Sequence, residues 1–235
     1  MPRTSHSPRA LLARALDPLS GFRACASRSG DLGRALGHMV LWRAPFWTLS
    51  TLIQLEGYRR LHHLLSSPME PRFQGFVDSL GLTTVQLRAL ADFLPAPPAA
   101  SVALPWIAAI SPLAVLSLWM HHWAWDHLAL WILRGVGPGK ARASALAEAE
   151  ALTVGVLVRP LTLLAEIPYL GWVFATLGLV GGIYAWALRG IALSAWHECP
   201  LWKGLAATIL HLLLVGLFYG TMVAVAVLAV FAFVA

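Results

Sequence analysis

The sequence predicts an all-α polytopic membrane protein: a helix bundle with five transmembrane helices, its N-terminus cytoplasmic and its C-terminus outside. Three observations predict it. First, the 235 residues are 58% hydrophobic and only 12% charged, with a mean hydropathy of +0.69. Soluble domains average about 45–50% apolar and about 25% charged residues, so this chain has too little charge to cover a water-exposed surface. Second, the apolar residues fall in long runs, and 204–235 contains no Asp, Glu, Lys or Arg. Third, the basic residues gather between those runs rather than along them. The same composition excludes a soluble enzyme, a disordered chain and a collagen-like one.

The elements follow in order. Residues 1–34 form a basic cytoplasmic tail, broken by Pro8, Pro18, Gly21 and Gly30. Ser7-Pro8 suits a helix start, with Ser7 as N-cap and Pro8 at the first helical position. Leu11, Leu12, Ala15 and Leu16 then share a face, which predicts either a helix lying on anionic lipid through Arg9, Arg14 and Arg23 or a solvated basic tail. The tail lacks the continuous apolar run of a cleavable signal peptide. Residues 35–57 are the first, marginal transmembrane segment, because His38, Arg43, Gln54 and Glu56 interrupt it. Trp42, Phe46 and Trp47 are the amphipathic rings expected at an interface. Residues 58–100 read as an extramembrane loop with one interfacial helix. Thr83-x-x-Gln86 opens that helix as a capping box, and Pro95-Ala96-Pro97-Pro98 ends it.

Residues 101–235 form a four-helix membrane core. From Pro105 to Leu133 a helix of roughly 43 Å exceeds a hydrocarbon core of about 30 Å, so one end protrudes or tilts. After a Gly-rich basic turn at 134–144, a span from Ala145 to Pro168 is interrupted at Arg159-Pro160. Gly171–Leu188 follows, then a polar hinge at 189–203 and one terminal span. With five spans, eleven cations fall on the cytoplasmic side and four outside. The short turn at 134–142 is purely basic, whereas the four Arg of 58–100 are matched by acids, and this sets the orientation.

Pro45-Phe46-Trp47, Gly135-Val136-Gly137, Pro160, Ile167-Pro168-Tyr169-Leu170-Gly171, Arg189-Gly190 and Pro200-Leu201-Trp202-Lys203-Gly204 occur in this order. From Pro45 onward the chain resembles the membrane domain of the Yip-domain (Ypt/Rab-interacting-protein) family, in its bacterial branch. The resemblance implies a five-helix membrane domain with a cytoplasmic N-terminus. Eukaryotic relatives bind prenylated small GTPases in vesicle traffic. Their first motif carries Asp-Leu and a Gly before the Pro, where this chain has Leu41, Trp42 and Ala44, so GTPase binding is not carried over.

Enzymatic motifs are missing. Arg134 and Ala141 stand where a phosphate loop needs Gly and Ser/Thr, and Leu201 stands where a zincin beginning His197-Glu198 needs His. His121, His122, Asp126 and His127 form the most chemical-looking cluster. Only His122 and Asp126, four apart, share a helix face, and a structural zinc site wants four ligands. No metal or other cofactor is therefore expected, although Glu148, Glu150 or His211 could complete a site from other helices. Asp126, Arg159, Glu166 and His122 are the candidate intramembrane polar site, since an ionisable group inside a span is a functional candidate with a partner to be named. With Arg134 and Glu150 as the cytoplasmic ends of their helices, Asp126 lies eight residues in and Arg159 nine, and this equal depth predicts an Asp126–Arg159 ion pair. Gly178 and Gly182 have the spacing of a helix-packing motif, within the chain or in a homo-oligomer.

The expected function is a non-enzymatic integral membrane protein of Yip type, acting as a scaffold, partner-binding or membrane-organising protein. The alternative is a small transporter or lipid-handling protein with a polar intramembrane path. A third reading, an intramembrane metalloenzyme, rests on the His/Asp cluster alone. The expected partners are the bilayer, anionic lipid headgroups and an unidentified protein, not nucleic acid. The expected location is the bacterial cytoplasmic membrane, with Cys25 and Cys199 as free thiols on its inner side.

Overall fold

The structure, a computed structural model, describes residues 7–27, 30–66, 83–137, 139–165 and 171–234, and among these it is helical with no strand. The helices are α1 (Pro8–Leu16), α2 (Pro18–Ala26), α3 (Leu32–Ser66), α4 (Thr84–Phe93), α5 (Ala100–Ile132), α6 (Lys140–Val154), α7 (Arg159–Leu164), α8 (Gly171–His197) and α9 (Leu201–Val234). They belong to two compact units, one of Met1–Arg43 with Leu113–Ala235 and one of Ala44–Pro112. The divisions fall beside Pro45 in α3 and at Pro112 in α5.

Local signals mark the starts of two short helices, α1 and α4, whereas α2 begins at Pro18, where the sequence reads as a break. Ser7 caps α1, its side chain accepting from Ala10 N at 3.3 Å. Thr83 and Gln86 close the capping box of α4 in both directions: Gln86 N donates to Thr83 Oγ1 at 3.2 Å, and Thr83 N donates to Gln86 Oε1 at 2.8 Å. These bonds link residues three apart, so they form wherever the rest of the chain lies.

In the smaller unit, α3 runs on as helix to Ser66, past the expected loop boundary at Gly57. Arg59 and Arg60 both pair with Glu56, at 3.0 and 3.4 Å, and such i,i+3 and i,i+4 pairs carry a helix through a polar stretch. Tyr58 donates to the Pro95 carbonyl at 2.9 Å, tying α3 to the linker after α4.

In the larger unit, α8 is the central element, packed against α2, α6, α7 and α9. Small residues set the closeness of that packing. A Cβ on Gly190 would lie 2.8 Å from Leu205 Cα, and one on Gly204 would overlap the Gly190 carbonyl, so the α8 and α9 backbones touch where they cross. α6 is buried on every side from Ala143 to Val154. Alternating Ala gives it a narrow profile, as an all-round buried helix requires.

The expected span at 145–168 is not one helix. α6 gives way to a 3-10 turn at Gly155–Val158, and α7 begins at Arg159-Pro160. The Pro ring clashes with the carbonyl four residues earlier and supplies no N–H, so the break extends upstream of Pro160 rather than sitting on it.

Among the described residues three helical stretches are long and apolar enough to cross a membrane: Ala100–Ile132, Gly171–His197 and Leu201–Ala229. Only 17%, 11% and 0% of their most apolar windows are buried, so these surfaces face outward, as lipid-solvated helices must. Apolar surface on this scale would be excluded from water, and the chain is a membrane protein. The well-packed core lies nearer the other ends of the same helices, around Leu130, Ala147, Leu188, Leu193 and Ala207.

Candidate functional site

The core holds a charge cluster that four helices supply. Arg189 on α8 donates through Nη2 to Asp126 on α5, and through Nε to Glu148 Oε2 on α6 at 3.0 Å. His211 on α9 donates through Nδ1 to Asp126 Oδ1 at 2.7 Å. The Arg189 guanidinium lies over the Trp186 ring, 4.6 Å from its centroid. Asp126 and Glu148 are 0% exposed and Arg189 3%. Three charges out of water are tolerated because they pair with one another, with Glu148 Oε1 left as a buried atom without a hydrogen-bond partner among the described residues.

Register brings these residues together. Asp126 lies eight residues before Arg134, Glu148 eight after Lys140, Arg189 eight before His197 and His211 eight after Lys203. At 1.5 Å per residue each is about 12 Å from the same end of the bundle. That end is basic and tightly tied: Lys203 Nζ donates to the Arg134 carbonyl at 2.8 Å, and Arg142 to the Gly30 carbonyl at 3.2 Å. Gly137 N donates to His197 Nδ1, which leaves His197 Nε2 as donor to Ser144 Oγ at 2.7 Å, and Ser144 Oγ also shares a hydrogen bond with His127 Nδ1 at 2.8 Å.

The expected Asp126–Arg159 pair does not form; Asp126 is held by Arg189 and His211. The depth argument took Glu150 as the end of its helix, whereas α6 starts ten residues earlier at Lys140. Arg159 is therefore nineteen residues from the basic end, far deeper than Asp126. Among the described residues no carboxylate pairs with Arg159. Glu166 lies outside the described residues. The His cluster also divides: His122 sits near His211, ring centroids 5.4 Å apart, while His127 turns to Ser144. No three metal-ligating side chains converge among the described residues.

Arg159 lines a cavity of about 190 Å³ on the side of the bundle. Arg43, Arg189, His122 and Trp186 line it too, with Gly178 and Gly182 on the α8 wall. Arg43 is buried and donates to the Leu152 carbonyl at 3.2 Å, one of the last carbonyls of α6, which lack helical donors of their own. A Cβ on Gly178 would stand 3.4 Å from Thr162, an ordinary contact. Gly182 does not pack, for a Cβ there would meet nothing within 4 Å; Gly181, against Val158, has the packing role.

The tail folds back on this core. Leu11 and Phe22 are fully buried, and Arg14 pairs with Glu150 instead of facing lipid. Tyr184 on α8 donates to the Ala15 carbonyl. Arg9 and Arg23 stay exposed. The face that reads as lipid-binding in sequence is thus divided: Leu11 and Arg14 turn inward, while Leu12 and Leu16 stay exposed with Arg9 and Arg23.

Set against known proteins, the chain matches no family model, no curated protein and no solved structure.

Proposed function

We propose that this chain is a non-enzymatic, multi-pass membrane protein that handles a lipid through the polar site on the flank of its bundle. One observation carries the reading: a cavity reaches Arg159 beside helices whose outer surfaces are apolar and exposed. A solid bundle would suit a passive scaffold; a polar recess opening beside lipid-facing helices gives a headgroup somewhere to go. The packed tail points the same way, since a scaffold relying on that arm would present it to a partner rather than bury Leu11, Arg14 and Phe22.

Within this reading the chain crosses a bacterial cytoplasmic membrane five times, with α3 and the α6–α7 segment joining the three apolar stretches, in the manner of the Yip-domain family it resembles. The basic end carrying Arg134, Lys140, Arg142 and Lys203 lies in the cytoplasm.

The test is redistribution of a fluorescent phospholipid between leaflets of proteoliposomes. Purified protein should accelerate it over protein-free vesicles, and Arg159→Gln should remove most of the acceleration. Rates equal to those of empty vesicles would refute lipid handling.

A further inference from the structure

We propose that the cavity among α3, α6, α7 and α8 is a binding site for the phosphate of an anionic phospholipid, held by Arg43 and Arg159 and bounded by Arg189, His122 and Trp186. The inference rests on the lipid-handling reading and names its ligand.

The charges argue first. Among the described residues three guanidiniums line the cavity and no carboxylate does. Arg189 is neutralised away from the cavity by Asp126 and Glu148. Arg43 has one partner, the Leu152 carbonyl, and at 7% exposure it cannot reach water as a long side chain at a helix end does. Arg159 meets no carboxylate among the described residues. Among the described residues neither guanidinium has a carboxylate partner, and Arg43 is buried while Arg159 borders the lipid-facing flank, a setting that calls for an anion. His122 Nδ1 is a further buried polar atom with no partner, beside the same space.

The ligand class follows from the donors. Guanidinium offers parallel N–H groups matched to phosphate or carboxylate oxygens. A volume of about 190 Å³ accepts a phosphate with a small polar substituent, below the roughly 300 Å³ at which drug-sized pockets begin. Acyl chains must therefore lie outside. The surroundings suit them: Arg159 is exposed on the flank, Gly182 leaves the α8 wall without a side chain, and Leu179 and Ile183 are exposed beside it. A lipid phosphate is favoured over free phosphate because the recess opens along apolar helix surface.

The experiment uses full-length protein in a neutral detergent, titrated with phosphatidylglycerol, phosphatidylcholine, diacylglycerol or inorganic phosphate and read by native mass spectrometry. Phosphatidylglycerol should bind at one saturable site and diacylglycerol should not. Arg159→Gln and Arg43→Gln should each weaken binding roughly tenfold to a hundredfold, the worth of a charged hydrogen bond. Arg43→Lys, which keeps the charge, should retain more affinity and guards against loss of fold. Equal retention of phosphatidylglycerol and diacylglycerol, or no effect of either Arg→Gln change, would overturn the proposal. Saturable binding of inorganic phosphate with no preference for the anionic lipid would overturn its lipid source. Specific binding without leaflet redistribution would uphold the site and refute the handling function.

Discussion

Arg189 is the residue on which most of the core's charge depends. It holds Asp126 and Glu148 at once, so the three substitutions should differ in cost. Arg189→Gln strands two buried carboxylates, and breaking a buried pair costs about 3–5 kcal/mol. Asp126→Asn leaves Arg189 with Glu148 and should cost less. Neutralising all three together should recover much of the loss, because no charge then remains uncompensated. Denaturation of purified protein in mixed micelles would give this order, and equal losses for Asp126→Asn and Arg189→Gln would contradict it. Asp126→Asn combined with Arg159→Gln should instead be additive, since the two share no bond.

At the scale of elements, the crossing of α8 and α9 and the flank of α8 make opposite demands on glycine. Gly190→Ala or Gly204→Ala forces atoms onto touching backbones and should lower stability by about 1–3 kcal/mol. Gly182→Ala meets nothing within 4 Å, and Ala is the better helix former, so stability should be unchanged or slightly raised. Thermal unfolding followed by circular dichroism would separate the sites; a large loss at Gly182 would mean that its face is covered. Caps at Ser7 and Thr83 were legible because a cap involves neighbours three residues apart. The extent of the break before Pro160 was less so. A proline marks where a helix fails, but how far the failure spreads depends on what the freed carbonyls meet, here Arg43 from a distant helix.

For the whole molecule, the two turns at the basic end, bound through Lys203 and His197, fix which groups report orientation. Cys25 on α2 and Cys199 between α8 and α9 are both half-buried. If the basic end is cytoplasmic, an impermeant maleimide should label neither on intact cells and should label both after permeabilisation. Burial pushes the Cys199 thiol above its ordinary value, so its thiolate fraction is low at neutral pH and labelling should quicken as pH rises toward that value. Labelling of Cys25 from outside would reverse the orientation.

By itself the sequence determined that this chain is helical and belongs to a membrane, because hydropathy and charge placement add up along the chain regardless of how helices meet. It also marked where α1 and α4 begin. It singled out Asp126, His122 and Arg159 as polar groups in apolar surroundings, and they do lie in or beside the charged core. Only the tertiary structure decided their partners. An ion pair between helices needs depth and facing direction together, and depth is counted from helix ends. Placing the start of α6 at Glu150 rather than Lys140 shifted the count by ten residues and exchanged Arg189 for Arg159. The role of Arg14 was equally hidden: an amphipathic helix looks the same in sequence whether its apolar face meets lipid or its own bundle. Glu150, 136 residues further along the chain, turns Arg14 inward, while Leu12 and Leu16 stay exposed.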